Sequence, residues 1–78
     1  MITLCQFPKN ENGRICDYDN EDLQMPNKII EMGLLPNTEF KILYQAPLGG
    51  PLYVEFGVEK SRLALRKEEA KYILVERI

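Results

Sequence analysis

The feature that most constrains the fold of this chain is a pair of alternating apolar and polar segments joined by a loop rich in proline and glycine. Residues 38–45 and residues 52–56 both alternate, which is typical of half-buried strands because successive side chains leave opposite faces of the pleat. The loop between them, residues 46–51 with the sequence APLGGP, contains two prolines that lack a backbone donor and two glycines that permit positive φ. The stretch therefore predicts a β-hairpin with Leu48 near its tip.

The same stretch predicts two local details. The period of two places Phe40, Ile42 and Tyr44 on one face of the first strand. Immediately before that strand, Pro36 and Asn37 fit the central positions of a type II turn, because proline fixes φ in the first position and asparagine tolerates the left-handed second position. The chain should therefore turn sharply into the strand.

The remaining chain contains further strand and helix signals. Alternating or β-branched segments predict strands at residues 13–18, 61–66 and 73–78, and residues 67–72 predict a single helical turn. Residues 21–32 carry the apolar stripe of a helix, which tolerates Pro26 only in its first turn. Gly33 predicts a left-handed helix stop in which Leu34 packs back on Ile30.

Together these elements predict a mainly β fold with short helices. About five antiparallel strands would curl into a small barrel, because curling removes the open edges of a sheet. The length of 78 residues predicts a single domain over residues 1–78, and 45% hydrophobic with 28% charged residues is typical of a globular protein. An unpaired edge strand in a partly open barrel would also allow weak self-association.

Charge and hydropathy exclude several kinds of partner. The formal net charge is −2, so the chain lacks the basic balance expected of a nucleic-acid binder. No apolar run approaches the roughly 20 residues that a membrane helix requires. The first ten residues, MITLCQFPKN, do not have the basic and then apolar pattern of a secretory signal. We therefore expect a cytoplasmic protein that binds no nucleic acid and does not insert into a membrane.

Residues that could carry catalysis are scarce. The chain has no histidine, its only serine is Ser61, and it has no phosphate-binding glycine loop. Two acidic pairs, Glu21 with Asp22 and Glu68 with Glu69, stand at predicted helix starts, where a solvated capping role explains them. The sequence therefore predicts that the protein is not an enzyme.

One acidic turn is a candidate metal site. Its oxygen donors, the ligand type that hard cations prefer, are Asp17, Asp19, Glu21 and Asp22. The turn lacks the glycine and the distal glutamate of a calcium loop, and capping of the following helix explains the same residues. Cys5 and Cys16 would add softer ligands if the fold brought them together, and otherwise we expect free, largely buried thiols. No cofactor is required, and a divalent transition metal is the alternative.

Three segments of the chain are informative together: residues 31–39, EMGLLPNTE, residues 46–52, APLGGPL, and residues 63–70, LALRKEEA. In their order and spacing they resemble three segments of the FeoA family of bacterial ferrous iron transport proteins. The first resembles that family's helix exit, although Asn37 stands where glycine is usual. The resemblance implies an SH3-like barrel of about five strands, with one helix inserted between the first two main strands. It also implies a cytosolic accessory of the ferrous iron permease FeoB.

Two functions follow as hypotheses. In the first, the barrel docks on the cytosolic part of FeoB and modulates transport. The candidate contact residues are Pro47, Leu48, Pro51, Tyr53 and Tyr44. The sequence leaves open whether Leu48 meets a partner or folds back on the barrel. In the second, the chain is an iron-sensing barrel that resembles the C-terminal domain of iron-dependent repressors. Arg62 and Arg66 could act on a nucleotide of the partner, but strand arginines are more often solvated or ion-paired.

Overall fold

The computed structural model describes residues 1–19 and 24–78, which contain one antiparallel sheet of six strands and two short helices. The strands are β1 (Ile2–Thr3), β2 (Asn12–Tyr18), β3 (Glu39–Gln45), β4 (Leu52–Phe56), β5 (Ser61–Leu65) and β6 (Ile73–Arg77), and the helices are α1 (Met25–Glu31) and α2 (Lys67–Ala70). The strand order is β1-β6-β2-β3-β4-β5. The predicted mainly β fold, with α1 inserted between the first two main strands, is confirmed. The sixth strand is β1, which pairs with β6 through Ile2 and Val75.

The core lies between the strands and α1. Among the described residues, its members are Leu4, Phe7, Ile15, Tyr18, Ile29, Leu34, Phe40, Ile42, Leu52, Val54, Leu65, Ala70, Ile73 and Val75. Phe7 meets Phe40 edge-on at 5.1 Å between ring centroids, an arrangement that aromatic pairs prefer. The Tyr18 hydroxyl donates a 2.6 Å hydrogen bond to the Leu34 carbonyl, so this buried polar group is satisfied. No helix in the described residues is long and apolar enough to cross a membrane.

The two edge strands, β1 and β5, are not neighbours in the hydrogen-bonded order. The gap between them is bridged instead by α2 and by a 3-10 turn at Leu4–Gln6, which follows β1 and contacts α2. The Cys5 thiol donates to the Lys67 carbonyl at 3.4 Å across this gap. The barrel is therefore closed by packing and one weak hydrogen bond, and its strand ladder stays open here.

Helix α1 ends as the sequence predicts. Gly33 has φ of 95°, and its N–H donates to Ile30 while the Leu34 N–H donates to Ile29, which is the hydrogen-bond pattern of a Schellman stop. Ile29 is the fully buried residue of this turn and Ile30 is 39% exposed, and the contact between Leu34 and Ile30 stays a prediction. Pro26 lies in the first turn of α1, where its missing N–H costs no helical hydrogen bond.

The turn into β3 is also confirmed. Asn37 has φ of 71°, and the Thr38 N–H donates to the Leu35 carbonyl at 3.1 Å. A hydrogen bond spanning four residues, with proline first and a left-handed residue second in the centre, is the type II turn expected at Pro36 and Asn37.

Strand β3 departs from strict alternation at Leu43. Ile42 pairs with Val54 but Tyr44 pairs with Tyr53, so Leu43 is the extra residue of a β-bulge. Phe40 and Ile42 share one face of β3, as predicted, and both are buried. The expectation that Tyr44 shares their face was wrong, because the bulge shifts every later side chain of β3 by one position and turns Tyr44 to solvent.

In helix α2, the surroundings of Glu69 differ in part from the solvated capping role that the sequence predicted. Glu69 accepts a hydrogen bond from the Arg66 N–H at 3.0 Å, so its capping role is confirmed. It is not solvated: only 6% of the residue is exposed, and its carboxylate lies 2.8 Å from the Lys28 ammonium of α1. Burial alone would raise the pKa of Glu69, but the hydrogen bonds from Lys28 and the Arg66 backbone outweigh burial and lower it. This ion pair fastens α1 to α2.

Candidate functional site

The tip of the hairpin between β3 and β4 is a tight turn with an unusual residue in it. Leu48 has φ of 59° and Gly49 has φ of 75°, and the Gly50 N–H donates to the Pro47 carbonyl at 3.2 Å. Two successive positive φ values closed by this hydrogen bond are the pattern of a type I′ turn. Below the turn, the Ala46 N–H donates to the Pro51 carbonyl at 3.0 Å. The loop is therefore held by its own backbone.

Leu48 occupies this turn at a cost to folding. A left-handed conformation costs a residue with a side chain about 1–2 kcal/mol, and asparagine or glycine is the usual choice in a type I′ turn. The Leu48 side chain is also fully exposed, so no burial offsets the strain. The fold-back alternative is thereby excluded in this structure. A strained residue that gains nothing from packing is an indication of function.

Tyr44 and Tyr53 form a cross-strand pair beneath the tip. Their ring centroids are 5.7 Å apart with 41° between the planes, and the two residues are 49% and 44% exposed. The bulge at Leu43 makes this pair, because it brings Tyr44 opposite Tyr53. Two half-exposed rings that already support each other lose little entropy when a partner covers them.

The five candidate residues all lie on this hairpin, and we call them the hairpin-tip surface: Tyr44, Pro47, Leu48, Pro51 and Tyr53. Pro47 is exposed and Pro51 is half-buried. Residues 42–54 contain no charged side chain, although 28% of the whole chain is charged. An uncharged surface with an apolar tip is what a protein interface places at its centre.

A groove of about 330 Å³ runs beside the hairpin-tip surface. One wall is the loop at residues 49–51, and the other is the end of β5 with the start of α2. The second wall contributes Ala64, Arg66, Lys67 and Glu68. The capping bond from the Arg66 N–H to Glu69 fixes this wall, because it sets where α2 begins.

A larger cavity of about 560 Å³ lies at the opposite end of β4, and no pattern in the sequence predicted it. Its apolar lining residues are Leu35, Pro36, Phe40, Phe56 and Val58. They come from the turn after α1, from β3 and β4, and from the turn after β4. Periodicity identifies segments but not the space between segments that are distant in sequence, so only the family-like segment at residues 31–39 could have drawn attention to this end.

The structure describes only two of the four residues of the predicted acidic metal site, Asp17 and Asp19. Asp17 is exposed, and its carboxylate accepts the Tyr18 N–H at 2.8 Å. The Asp19 N–H donates to the Tyr72 carbonyl. Glu21 and Asp22 lie outside the described residues. Within residues 1–19 and 24–78, no group of three or more cysteine, aspartate or glutamate side chains is placed to hold a metal ion.

The two cysteines have different surroundings. Cys5 contacts the Lys67 carbonyl, and Cys16 contacts the Arg14 carbonyl at 3.7 Å. Both thiols are free and half-buried, so they are less buried than expected. Burial raises the pKa of both thiols, with further contributions from Glu68 at Cys5 and from Glu76 at Cys16. The raised pKa values make both thiols harder to ionise, and the thiolate is the form that binds metals.

Arg62 in β5 and Arg66 directly after that strand were expected to be solvated or to form ion pairs. Arg62 pairs with Glu55 on the neighbouring strand at 3.4 Å, as that interpretation requires. Arg66 is exposed at the mouth of the groove.

Comparison with known proteins identifies a protein family to which the chain is similar over nearly its whole length. The FeoA domain family model matches residues 2–77. The solution structure of a FeoA-like protein from Clostridium acetobutylicum superimposes with a TM-score of 0.86 and 32% identity, covering 99% of this chain and 86% of that chain. The family resemblance drawn from the sequence is therefore confirmed.

Two further structures bear on the fold. The FeoA of Stenotrophomonas maltophilia, solved with zinc and described as a prokaryotic SH3 domain protein, has a TM-score of 0.78 and 25% identity, covering 97% of this chain and 91% of that chain. A manganese-dependent transcriptional repressor with bound manganese has a TM-score of 0.88 and 17% identity, covering 99% of this chain but 36% of that chain. The second likeness is one of fold alone, and the SH3-like prediction is confirmed.

Proposed function

This chain belongs to the FeoA domain family, and we propose that it is a non-enzymatic accessory protein of ferrous iron uptake that docks on a FeoB-type permease. Membership of the family implies a role in ferrous iron transport. The docking surface in this proposal is the hairpin-tip surface, the contact is with the cytosolic part of the permease, and docking modulates transport from the cytoplasm.

One observation carries the docking proposal: Leu48 is strained in its backbone and fully exposed in its side chain. The left-handed backbone lowers stability and the exposed side chain gains no burial that would offset it, and strained positions of this kind cluster at functional sites. A leucine on a loop fixed by its own hydrogen bonds is also a suitable anchor, because little conformational freedom remains to be lost on binding. The tyrosine pair beneath it supplies the aromatic area in which interface energy concentrates.

A non-enzymatic role agrees with the family. FeoA proteins are iron transport accessories and are not a known enzyme family. The relative from S. maltophilia is described as a candidate activating factor for bacterial ferrous iron transport. We extend an activating or regulatory role of that kind to this chain.

The experiment that tests the proposal is a binding titration of the full chain against its cognate FeoB permease in lipid nanodiscs. The titration is run with GDP and with a non-hydrolysable GTP analogue, and hydrogen–deuterium exchange maps the contact. We expect binding that protects the amides of residues 44–53 and leaves those of residues 57–60 unchanged. Absence of binding in both nucleotide states, or protection at residues 57–60 alone, would reject the docking site.

Metal sensing is the second candidate, and the zinc bound to the relative from S. maltophilia is the observation that favours it. Its predicted ligands here are Asp17, Asp19, Glu21 and Asp22. Anaerobic calorimetry with ferrous iron decides the matter: a sensing barrel would bind at micromolar metal and would lose that binding in an Asp17→Asn, Asp19→Asn double variant. Lack of heat up to high micromolar iron would reject sensing by this chain alone.

A further inference from the structure

We propose that Arg66 and Lys67 form a basic rim of the hairpin-tip surface, and that the partner segment which docks there is acidic. In this arrangement an apolar residue of the partner meets Leu48, and one or more carboxylates beside it enter the adjacent groove. The inference rests on the docking proposed above and adds the chemistry of the partner.

The position of the two cations is the first support. The groove is bounded on one side by residues 49–51, the loop that carries Leu48, and on the other by Arg66 and Lys67. A segment that covers Leu48 and continues into the groove therefore passes both cations. Glu68 lines the same groove, so two positive charges and one negative charge face such a segment.

The availability of these cations is the second support. Four other cations of the chain are engaged in ion pairs: Arg14 with Glu76, Lys28 with Glu69, Arg62 with Glu55 and Arg77 with Glu11. Arg66 and Lys67 are both exposed, and neither pairs with a carboxylate of residues 1–19 or 24–78. A partner carboxylate would therefore not have to displace an internal one.

The backbone that carries both cations is fixed. The Arg66 N–H donates to Glu69, and the Arg66 carbonyl accepts from Ala70 at 2.9 Å. The Lys67 carbonyl accepts both the Lys71 N–H and the Cys5 thiol. Only the two side chains have to become ordered on binding, which limits the entropic cost.

The same features favour a protein segment over an anionic membrane. Recognition of anionic lipid is typical of clusters of about four to eight basic residues. This surface has two, with Glu68 beside them, in a chain whose net charge is −2. An uncharged centre with a charged rim is instead the usual anatomy of a protein interface.

The test compares two matched double variants of the full chain. Arg66→Gln with Lys67→Gln removes the proposed rim, and Lys41→Gln with Lys60→Gln removes the same charge beside the cavity at the other end of β4. Association and dissociation rates are measured against the permease in zwitterionic nanodiscs, at about 50 and about 300 mM NaCl, where screening differs strongly. Empty nanodiscs containing phosphatidylglycerol are run in parallel, together with Leu48→Asp.

The rim variant should bind about fivefold more weakly than the wild type, through slower association, and its affinity should depend less on salt. The control variant should stay within twofold of the wild type. Equal affinity and equal salt dependence of the rim variant and the wild type, while Leu48→Asp loses binding, would overturn the acidic-partner inference alone. Normal binding of Leu48→Asp would reject the docking function itself. Binding to empty anionic nanodiscs that requires Leu48 and Arg66 would identify a membrane surface as the partner and would overturn the inference.

Discussion

The turns on either side of β4 each expose an aliphatic side chain, but they differ in what holds it there. Leu48 before β4 and Val58 after it are both fully exposed. Leu48 itself adopts the left-handed conformation, whereas in the second turn the left-handed positions belong to Gly57 and Lys60. Val58 is thus an exposed residue in relaxed backbone, and Leu48 is an exposed residue that strains its own backbone.

The surroundings of the two residues differ as well. Leu48 stands above an aromatic pair in a stretch without charged side chains. Val58 is followed directly by Glu59 and Lys60. Single exposed apolar residues are common on soluble proteins and need no explanation. In Leu48, the proposed docking residue, backbone strain, an exposed aliphatic side chain and an uncharged neighbourhood coincide, whereas Val58 shares only the exposure.

The largest effect should appear when a carboxylate replaces the exposed aliphatic side chain of one turn or the other. Leu48→Asp should weaken binding to the permease by about thirtyfold or more, which is the loss typical of an interface hot spot. Val58→Asp should leave affinity within twofold. Both changes are at fully exposed positions, so neither should destabilise the fold, and circular dichroism serves as the folding control. Equal loss in the two variants would remove the distinction between the turns.

The next effect concerns the glycines that shape the turns. A side-chain methyl on Gly50 would lie 2.6 Å from the Ala46 Cβ and 3.2 Å from the Pro47 carbonyl oxygen. Gly50→Ala should therefore cost about 2 kcal/mol of stability through overpacking. Gly57 has open space around it but φ of 79°, so Gly57→Ala should cost about 1 kcal/mol from strain alone. Urea unfolding measures both, and a larger cost at Gly57 would contradict the account of the first turn.

A substitution that relieves the backbone strain at Leu48 should raise the stability of the fold. Leu48→Asn should stabilise the fold by about 1 kcal/mol, because asparagine tolerates the left-handed conformation. Val58→Asn should change stability by less than about 0.5 kcal/mol. Thermal unfolding of the two variants is the measurement. No gain at Leu48 would mean that the turn imposes no strain, and the main argument for docking would be lost.

The smallest effect is a pH dependence of stability that arises in α2, the helix whose start borders the groove beside the hairpin tip. The folded state lowers the pKa of Glu69 below its ordinary value of 4.5, so the stability that this carboxylate contributes is present above pH 4.5 and is lost as the pH falls through the folded value. Glu69→Gln keeps the cap but loses the ion pair with Lys28, which is about half exposed. The variant should be less stable at pH 7 by about 0.5–1 kcal/mol.

This difference should shrink between pH 5 and pH 3, in denaturant titrations at each pH. A constant difference over that interval would show that the charge of Glu69 makes no contribution. The turn after β4 has no comparable buried carboxylate among the described residues, so amide exchange there should not follow the same pH profile.

The sequence predicted those parts of the fold that depend on local chemistry. The stop at Gly33 and the turn at Pro36 and Asn37 could be predicted because few residues adopt the required φ values. The hairpin could be predicted because its loop cannot pair as a strand. These signals need only neighbouring residues, so a single sequence contains them.

Other parts depend on contacts that the sequence does not reveal. The bulge at Leu43 involves an ordinary residue, and nothing in its neighbourhood indicates that Tyr44 will turn outward. The pair between Lys28 and Glu69 joins two helices that are far apart in sequence. The direction of Leu48 depends on the turn type, which proline and glycine alone leave open. The position of the five candidate residues on one hairpin was therefore predictable from the loop, and their arrangement was not.

The pairing of β1 with β6 has a consequence for the order in which the protein folds. Ile2 pairs with Val75, whereas Tyr44 pairs with Tyr53 within one hairpin. Closing the longer loop costs about 2 kcal/mol more in chain entropy, so we expect the ladder of β3 and β4 to form early and the contact between the chain ends to form last. Pulse-labelled hydrogen exchange during refolding should protect β4 amides before β6 amides. A folding chain would then form the turn that carries Leu48 before the two chain ends pair.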